Sequence, residues 1–293
     1  MFAKREEKKS LKELLEVGPV FAPCVYDAIS ARMMYDIGFQ ATCLSGSETA
    51  RTRAGLPDIG LGSFNELCST IEHITDVCPL PMIVDVDTGW GNEYNVMRTC
   101  ERIVESGAKA IHMEDQKFPK RCGHLEGKEV IGRDEYIRKI KAAHKVFEGT
   151  DVIIIARTDS YNVLGIEEAI WRNQAAHDAG AEVSFTEAID SVAAMEEIGR
   201  RVEGWKMFGM ASYGASPKVS FADMVSMGFN LVTFHCTMMA MVTGMTYYAR
   251  ECLERKDNFF AIDNAKYFKD SLVSPENLTD IAKWKDLVTS VTK

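Results

Sequence analysis

The chain has 293 residues, 46% of them hydrophobic and 26% charged, which suits a globular protein able to bury a sizeable core. Its formal net charge of -9 disfavours nucleic acid as a partner, since such surfaces are basic. No apolar run reaches the length of a membrane span, and the charged N-terminal stretch lacks the apolar centre of a signal peptide. Eight scattered cysteines with no CxxC pair signal neither a zinc ribbon nor a disulfide scaffold, so the expectation is a cytoplasmic protein with reduced thiols.

Short apolar runs of β type recur along the chain, each followed by a stretch of helical periodicity. They are VFAPC (20–24), ATCLS (41–45), PMIVDVD (81–87), AIHME (110–114), DVIIIAR (151–157), AEVSFTE (181–187), WKMFGM (205–210) and NLVTFHC (230–236). Between them, NVMRTCERIVESG (95–107) places Val96, Cys100, Ile103 and Val104 at helical spacing and ends in glycine. Eight strand–helix units predict a parallel (β/α)8 barrel of the TIM type. An open doubly wound sheet is the alternative, but no GxGxxG follows the first strand and no P-loop occurs. One domain is expected over residues 1–293, with a helical extension from about 246 to 293 that packs outside the barrel or against another subunit. The Met-rich stretch 236–245 reads as core packing, and His73, His144 and His177 as surface or packing residues of helices.

Polar residues gather at the C-terminal ends of the predicted strands. Asp85 and Asp87 end the third, Glu114 and Asp115 the fourth, Arg157 with Asp159 the fifth, and Glu187 the sixth. Residues two apart in a strand share a face, so Asp85 and Asp87 are expected to point the same way, as are His112 and Glu114, and Arg157 and Asp159. A barrel brings all these ends to one rim, where barrel active sites are built. Any one acid reads equally well as a solvated strand end, but this many on four consecutive strands is a poor fit to coincidence. Clustered carboxylates raise one another's pKa unless a cation sits among them. An oxygen-only ligand set suits Mg²⁺ or Mn²⁺ rather than zinc. Arg157 then serves as a fork for a substrate carboxylate or phosphate. The loop SGSETARTRAG (45–55) offers backbone N–H groups for an anion or oxyanion, and reads as well as a flexible connection.

The segment EDQKFPKRCGHLEGK (114–128) sets Cys122, a residue type that usually packs in cores, in a charged and Gly-punctuated loop. Neighbouring cations are expected to lower the thiol pKa and make it an acid–base or nucleophilic group.

The motif Lys120-Arg121-Cys122-Gly123-His124 after Glu114-Asp115-Gln116 resembles the signature of the isocitrate lyase/phosphoenolpyruvate mutase superfamily. The resemblance extends to Tyr26-Asp27, Ser45-Gly46-Ser47, Gly55-Leu56-Pro57-Asp58, Asp85-x-Asp87-x-Gly89, Ile155-Ala156-Arg157-Thr158-Asp159 and Glu187-Ala188, so it spans roughly residues 20–190. It implies a (β/α)8 barrel, a homotetramer whose subunits exchange the last helix, and Mg²⁺ at the rim. Asp85 would be the direct metal ligand, with Asp58, Asp87 and Glu114 acting through bound waters. Arg157 and the backbone of Ser45, Gly46 and Ser47 would hold a 2-oxo or 2-hydroxy carboxylate, and the Cys122 loop, with Gly123 and His124, would be a gate over it. The KRCGH-like loop places the chain with the carbon–carbon lyases (2-methylisocitrate lyase, dimethylmalate lyase) and their oxaloacetate-hydrolysing relatives.

What the resemblance implies chemically is cleavage of a 2-hydroxy dicarboxylate or tricarboxylate to a 2-oxo acid such as pyruvate and a second carboxylate. Tyr26 or Asp58 would take the hydroxyl proton, and Cys122, tuned by His124 and Glu187, would protonate the leaving carbanion. Two stretches depart from the lyase pattern. After strand 7 the usual Asn-Met-x-Glu-Gly-Gly is replaced by Gly209-Met210-Ala211-Ser212-Tyr213-Gly214, and strand 8 ends in Phe234-His235-Cys236 instead of a Tyr-Pro-type pair. Ser212, Tyr213 and His235 are therefore the candidates for reading the distal part of a small carboxylate substrate. Hydrolysis or decarboxylation of oxaloacetate at the same site, and a barrel that binds ligand without catalysis, are the alternatives.

Overall fold

The computed structural model describes residues 10–211, 214–259 and 278–292. Eight parallel strands close in sequence order: β1 (Val20–Val25), β2 (Thr42–Leu44), β3 (Met82–Asp85), β4 (Ala110–Glu114), β5 (Ile153–Thr158), β6 (Val183–Thr186), β7 (Trp205–Met210) and β8 (Leu231–Phe234), with β8 paired back onto β1. This is the expected (β/α)8 barrel, and β4 and β7 have the predicted bounds. Around it in chain order lie α1 (Leu11–Val17), α2 (Ala28–Ile37), α3 (Gly46–Ala54), α4 (Phe64–Val77), α5 (Glu93–Ser106), α6 (Arg133–Phe147), α7 (Tyr161–Leu164), α8 (Ile166–Asp178), α9 (Val192–Arg201), α10 (Phe221–Ser226), α11 (Thr237–Arg255) and α12 (Ile281–Thr292). Among these described helices, none is long and apolar enough to cross a membrane.

The period of two along each strand divides the barrel into layers. Outward residues such as Val25, Leu44, Val84, Ile111, Ile154 and Ala156 pack with the helices in one continuous apolar cluster. Inward residues such as Ala22, Cys24, Cys43, Ile83, Ala110, Ile155, Phe185 and Met207 form another, which Leu11, Leu14 and Leu15 of α1 join. The same inward rows continue upward as Asp85, His112 with Glu114, Arg157, Glu187, Gly209, and Thr233 with His235. An apolar interior therefore turns polar at the C-terminal rim.

Three expectations are corrected. The segment 45–55 is not a flexible connection: Ser45 caps α3 by accepting from the Glu48 N–H, and Gly55 ends it at φ 65°. The Met-rich stretch belongs to α11, which starts at Thr237 rather than near 246, and Thr237 is its only buried residue. Asp87 lies beyond the end of β3 with φ 46°, so a tight turn, not strand alternation, brings it beside Asp85.

Asp115 does not join the rim acids in the cavity but braces the tops of β4, β5 and α8. Its carboxylate accepts from Arg172 Nη1 at 3.0 Å and from the Asp159 N–H at 2.8 Å, while Arg172 Nη2 donates to the Ile131 carbonyl at 2.9 Å. Burial, with Asp159 nearby, pushes the Asp115 carboxyl up to about 6. Arg172→Leu should destabilise the protein by about 3–5 kcal/mol, because a buried carboxylate loses its partner. Urea denaturation checks this, and a loss below about 1 kcal/mol would show that Thr158 and the backbone suffice.

Candidate active site

Acids from two strand ends and one loop converge on a single ammonium group. Lys120 is buried, with Nζ 2.6 Å from Asp58 Oδ1 and 2.9 Å from Asp87 Oδ1. Asp85 is held from several sides: the Gly46 N–H at the start of α3 donates to Oδ2 at 3.3 Å, the Asp87 N–H donates to Oδ1 at 3.0 Å, and His112 Nδ1 stands 3.6 Å from Oδ1. A Cβ on Gly46 would lie 2.9 Å from Asp85 Oδ2, so only glycine lets the helix start come this close. Burial alone would raise the Asp85 carboxyl, but His112, Lys120 and Arg157 outweigh it and hold it at about 2. Asp87 goes the other way, pushed up to about 6 by burial and by Asp85 against the pull of Lys120. Burial also raises Glu114 well above the usual carboxylate range.

Beside this cluster Arg157 is held by three carboxylates. Nε and Nη2 donate to Asp159 at 2.9 and 3.2 Å, Nη2 lies 3.2 Å from Glu114 Oε2, and Nη1 lies 3.3 Å from Glu187 Oε2. Arg157 and Asp159 do share a side, as expected, although Asp159 is past the end of β5. His124 Nε2 reaches Glu187 Oε1 at 3.3 Å.

The loop bearing Cys122 lies on the cavity and is pinned from both flanks. The Cys122 N–H donates to the Asp58 carbonyl at 3.0 Å, the Gln116 amide holds the Arg121 backbone, and Lys128 ties the Gly123 carbonyl to Asp159. The expected lowering of the Cys122 pKa is not found: burial raises it, outweighing Arg157 and the hydrogen bond at the His124 backbone. At neutral pH the group is a thiol with a proton to give.

Cys122, Gly123, His124, Arg157, Glu187, Asp58, Asp85, Ser45, Ser47 and His235 all line one small cavity of about 90 Å³, together with His112, Cys24, Cys43, Phe185, Met207, Gly209, Ala211 and Thr233. Asp87, Glu114 and Gly46 adjoin it through the contacts given above. Tyr26 does not reach it. Its hydroxyl donates to Met241 Sδ on α11 at 3.2 Å, and its ring lines a separate cleft with Asp27, Arg53 and His73. Ser212 and Tyr213 lie outside the described residues. His235 lies at the wall of β1, β7 and β8, with Nδ1 2.9 Å from Glu48 Oε1.

Sequence reasoning did not single out Lys120 as a buried counter-ion, nor Glu48 or Lys128 as partners. Lys120 read as one of several loop cations, and Glu48 as one residue of a small-residue loop. A pairing partner distant in sequence leaves no local signal in either case.

The acids fit a hydrated hard cation. Glu114 Oε1 and Oε2 are buried and accept no hydrogen bond, and Asp87 Oδ1 accepts none despite its ion pair with Lys120. Among the described residues, no group of three or more His, Cys, Asp or Glu side chains is placed to hold a metal ion between them. Carboxylate oxygens of this kind, one or two at a time with waters completing the shell, are the donors that Mg²⁺ takes.

Gly123 is the closest approach of the loop to the site, where an added Cβ would sit 2.3 Å from Glu187 Cγ and 2.6 Å from Arg157 Nη2. Gly123→Ala should therefore lower kcat/KM at least 100-fold while leaving the urea midpoint nearly unchanged, because the clash is relieved by lifting the loop. Activity within a few-fold of wild type would show that the loop need not seat this closely.

Comparison with known proteins adds an independent line. Residues 11–253 match the family model described as phosphoenolpyruvate phosphomutase. The chain is 38% identical to 2-methylisocitrate lyase of Aeropyrum pernix over 247 residues, covering 84% of this chain and 79% of that protein. It is 33% identical to 2,3-dimethylmalate lyase of Eubacterium barkeri over 241 residues, covering 82% of each. A solved structure of oxaloacetate acetylhydrolase with the inhibitor 3,3-difluorooxalacetate superposes with TM-score 0.81 and 31% identity, covering 96% of this chain and 95% of that one. The matching family model and these relatives show that the chain belongs to the phosphoenolpyruvate mutase/isocitrate lyase superfamily, and the relatives named here include its lyases.

Proposed function

We propose that this enzyme is a Mg²⁺-dependent carbon–carbon lyase, with Mn²⁺ as a substitute, that cleaves a 2-hydroxy dicarboxylate or tricarboxylate of the substituted-malate or 2-methylisocitrate type to a 2-oxo acid such as pyruvate and a second carboxylate. The observation that carries this reading is a half-buried Cys122, whose desolvation favours the protonated thiol, in the same small cavity as Arg157 and Asp85. Asp85 would hold the cation directly, with Asp58, Asp87 and Glu114 reaching it through water. When bound, the cation supplies Lewis-acid polarisation of the oxygen on the 2-carbon.

The chain's own groups supply the rest. Arg157, locked by three carboxylates, presents a fixed guanidinium edge to the 2-oxo acid, and the Ser45–Ser47 turn lies at the same end. Of the two candidates for the base, Asp58 lines the cavity and Tyr26 does not, so Asp58 takes the hydroxyl proton. The carbon–carbon bond then breaks with its electron pair on the leaving fragment, and the 2-oxo group forms. The Cys122 proton goes to that carbon, with His124 and Glu187 orienting the loop and returning a proton to the sulfur. The seated loop excludes water while the carbanion exists.

A second reading, hydrolysis of oxaloacetate, is supported by the similarity to oxaloacetate acetylhydrolase. A homotetramer in the cytoplasm completes the proposal. Exposed Val242, Met245, Tyr247 and Leu253 on α11 fit burial against another copy, and all eight cysteines remain thiols.

The test is product analysis of a panel of 2-hydroxy di- and tricarboxylates, and of oxaloacetate, with Mg²⁺ and with excess EDTA. A 2-oxo acid formed only with the metal supports the lyase, oxalate plus acetate supports the hydrolase, and no turnover of any of them refutes both. Cys122→Ser should reduce cleavage at least 1,000-fold while pyruvate binding by calorimetry stays within about threefold. Asp85→Asn should abolish the Mg²⁺ binding isotherm in the absence of any substrate.

A further inference from the structure

Three cysteines line the cavity, and the proposed reaction uses only Cys122. The other two, Cys24 and Cys43, also belong to the inward-facing cluster of the barrel. They are register partners on the adjacent parallel strands β1 and β2, with both side chains pointing inward. Neighbouring strands lie about 4.8 Å apart, and a disulfide spans Cα separations of roughly 4.4–6.8 Å. Rotation about each Cα–Cβ bond, not movement of the strands, is therefore enough to join the two sulfurs.

Both residues are free thiols, and each is only 2% exposed. The cavity gives the approach to them. Its volume of about 90 Å³ admits hydrogen peroxide, because a water takes about 30 Å³ and peroxide is little larger. The two sulfurs differ in character. Cys24, with His112 adding to it, pulls the Cys43 thiol down to about 6 against the opposing effect of burial. Cys43 and burial push the Cys24 thiol well up. A thiolate is the form that attacks peroxide, so Cys43 is the attacking sulfur and Cys24 the resolving one. Cys122, raised by burial, is a poor competitor.

We infer that Cys43 and Cys24 form a dithiol that reduces hydrogen peroxide entering the cavity and so spares Cys122. The Cys43 sulfur attacks one peroxide oxygen: an S–O bond forms, the O–O bond breaks, and the other oxygen leaves as water with the Cys43 thiol proton. The Cys24 sulfur then attacks the sulfur of Cys43. An S–S bond forms, the S–O bond breaks, and hydroxide leaves with the Cys24 proton as a second water. The two sulfurs together give up two electrons, and one peroxide gains them. A small dithiol restores the pair by exchange. Neither step uses a metal ion or a carboxylate substrate, so the pair acts whether or not the enzyme is a lyase.

The test exposes the reduced full chain, in EDTA, to a few equivalents of hydrogen peroxide, alkylates the remaining thiols and maps the cysteines by mass spectrometry. Two of the eight thiols should be lost first, as a Cys24–Cys43 disulfide that dithiothreitol reverses, with Cys122 still alkylated. Cys24→Ala should leave Cys43 as a sulfenic acid that dimedone traps. Cys43→Ala should form no disulfide at Cys24 and should oxidise Cys122 about fivefold faster than wild type, or more. Thermal melting checks that both variants are folded, and the wild-type map needs neither. Oxidation of Cys122 before the pair, a disulfide from Cys24 to Cys236, or a wild-type map with Cys24 and Cys43 still reduced would each overturn the inference. So would equal rates with cumene hydroperoxide, which is too large for the cavity and reaches these sulfurs only in an opened chain. Failure of the lyase reading leaves the map unchanged.

Discussion

Lys120 is the ion on which the site depends. Asp58 comes from a loop, Asp85 and Asp87 from the end of β3, and Glu114 from the end of β4; within a low-dielectric rim their mutual repulsion would be severe. The ammonium of Lys120 touches two of them and lowers the pKa of Asp85 from a distance, and Arg157 does the same from the other side. The remaining strain shows in Asp87 and Glu114, whose carboxyls are pushed upward because burial outweighs the cations they have. An arrangement of this kind accommodates one more hard cation, and that is the electrostatic basis for proposing Mg²⁺ here. Because Lys120 lies two residues before Cys122, the residue that neutralises the acids also anchors the loop that carries the proton donor.

That loop shows how magnitude decides between effects. The charges around Cys122 in the sequence suggest a thiol driven toward thiolate, which would suit a nucleophile. In the folded chain those charges are spent on one another: Lys120 on Asp58 and Asp87, Lys128 on Asp159, and Arg157 on Glu114, Asp159 and Glu187. Desolvation is left as the largest influence on the sulfur, and it favours the protonated form. A protonated thiol is the species that a carbanion-forming reaction requires, so the displaced expectation strengthens the acid role and weakens a nucleophilic one.

The barrel was legible because it is written in local patterns. Eight β-type runs separated by helical periodicity give eight strands, and the alternation within AIHME and WKMFGM fixes which side chains face inward. The rim acids were legible for the same reason, as strand-end residues of a barrel. Pairings across long separations were not. Nothing local distinguishes Glu48 from any other acid in a first helical turn, yet its carboxylate meets His235 nearly two hundred residues away. Tyr26 failed in the opposite way: it stands next to β1, as a rim residue should, but α11 offers its hydroxyl a sulfur and draws it out of the cavity. The helix that begins at Ser45 was hidden by small residues whose turn propensity and N-cap propensity look alike.

The central claim is that a protein-bound acid at Cys122 protonates the fragment released by metal-dependent cleavage. The most direct measurement is cleavage of a 3-substituted malate in D₂O, with the released carboxylate examined by NMR for deuterium at the carbon next to the carboxyl group. The account predicts one deuterium, on one face only, because the acid is fixed on one wall of the cavity. Deuterium distributed equally over both faces would mean that the carbanion escapes to solvent before protonation, and would contradict it.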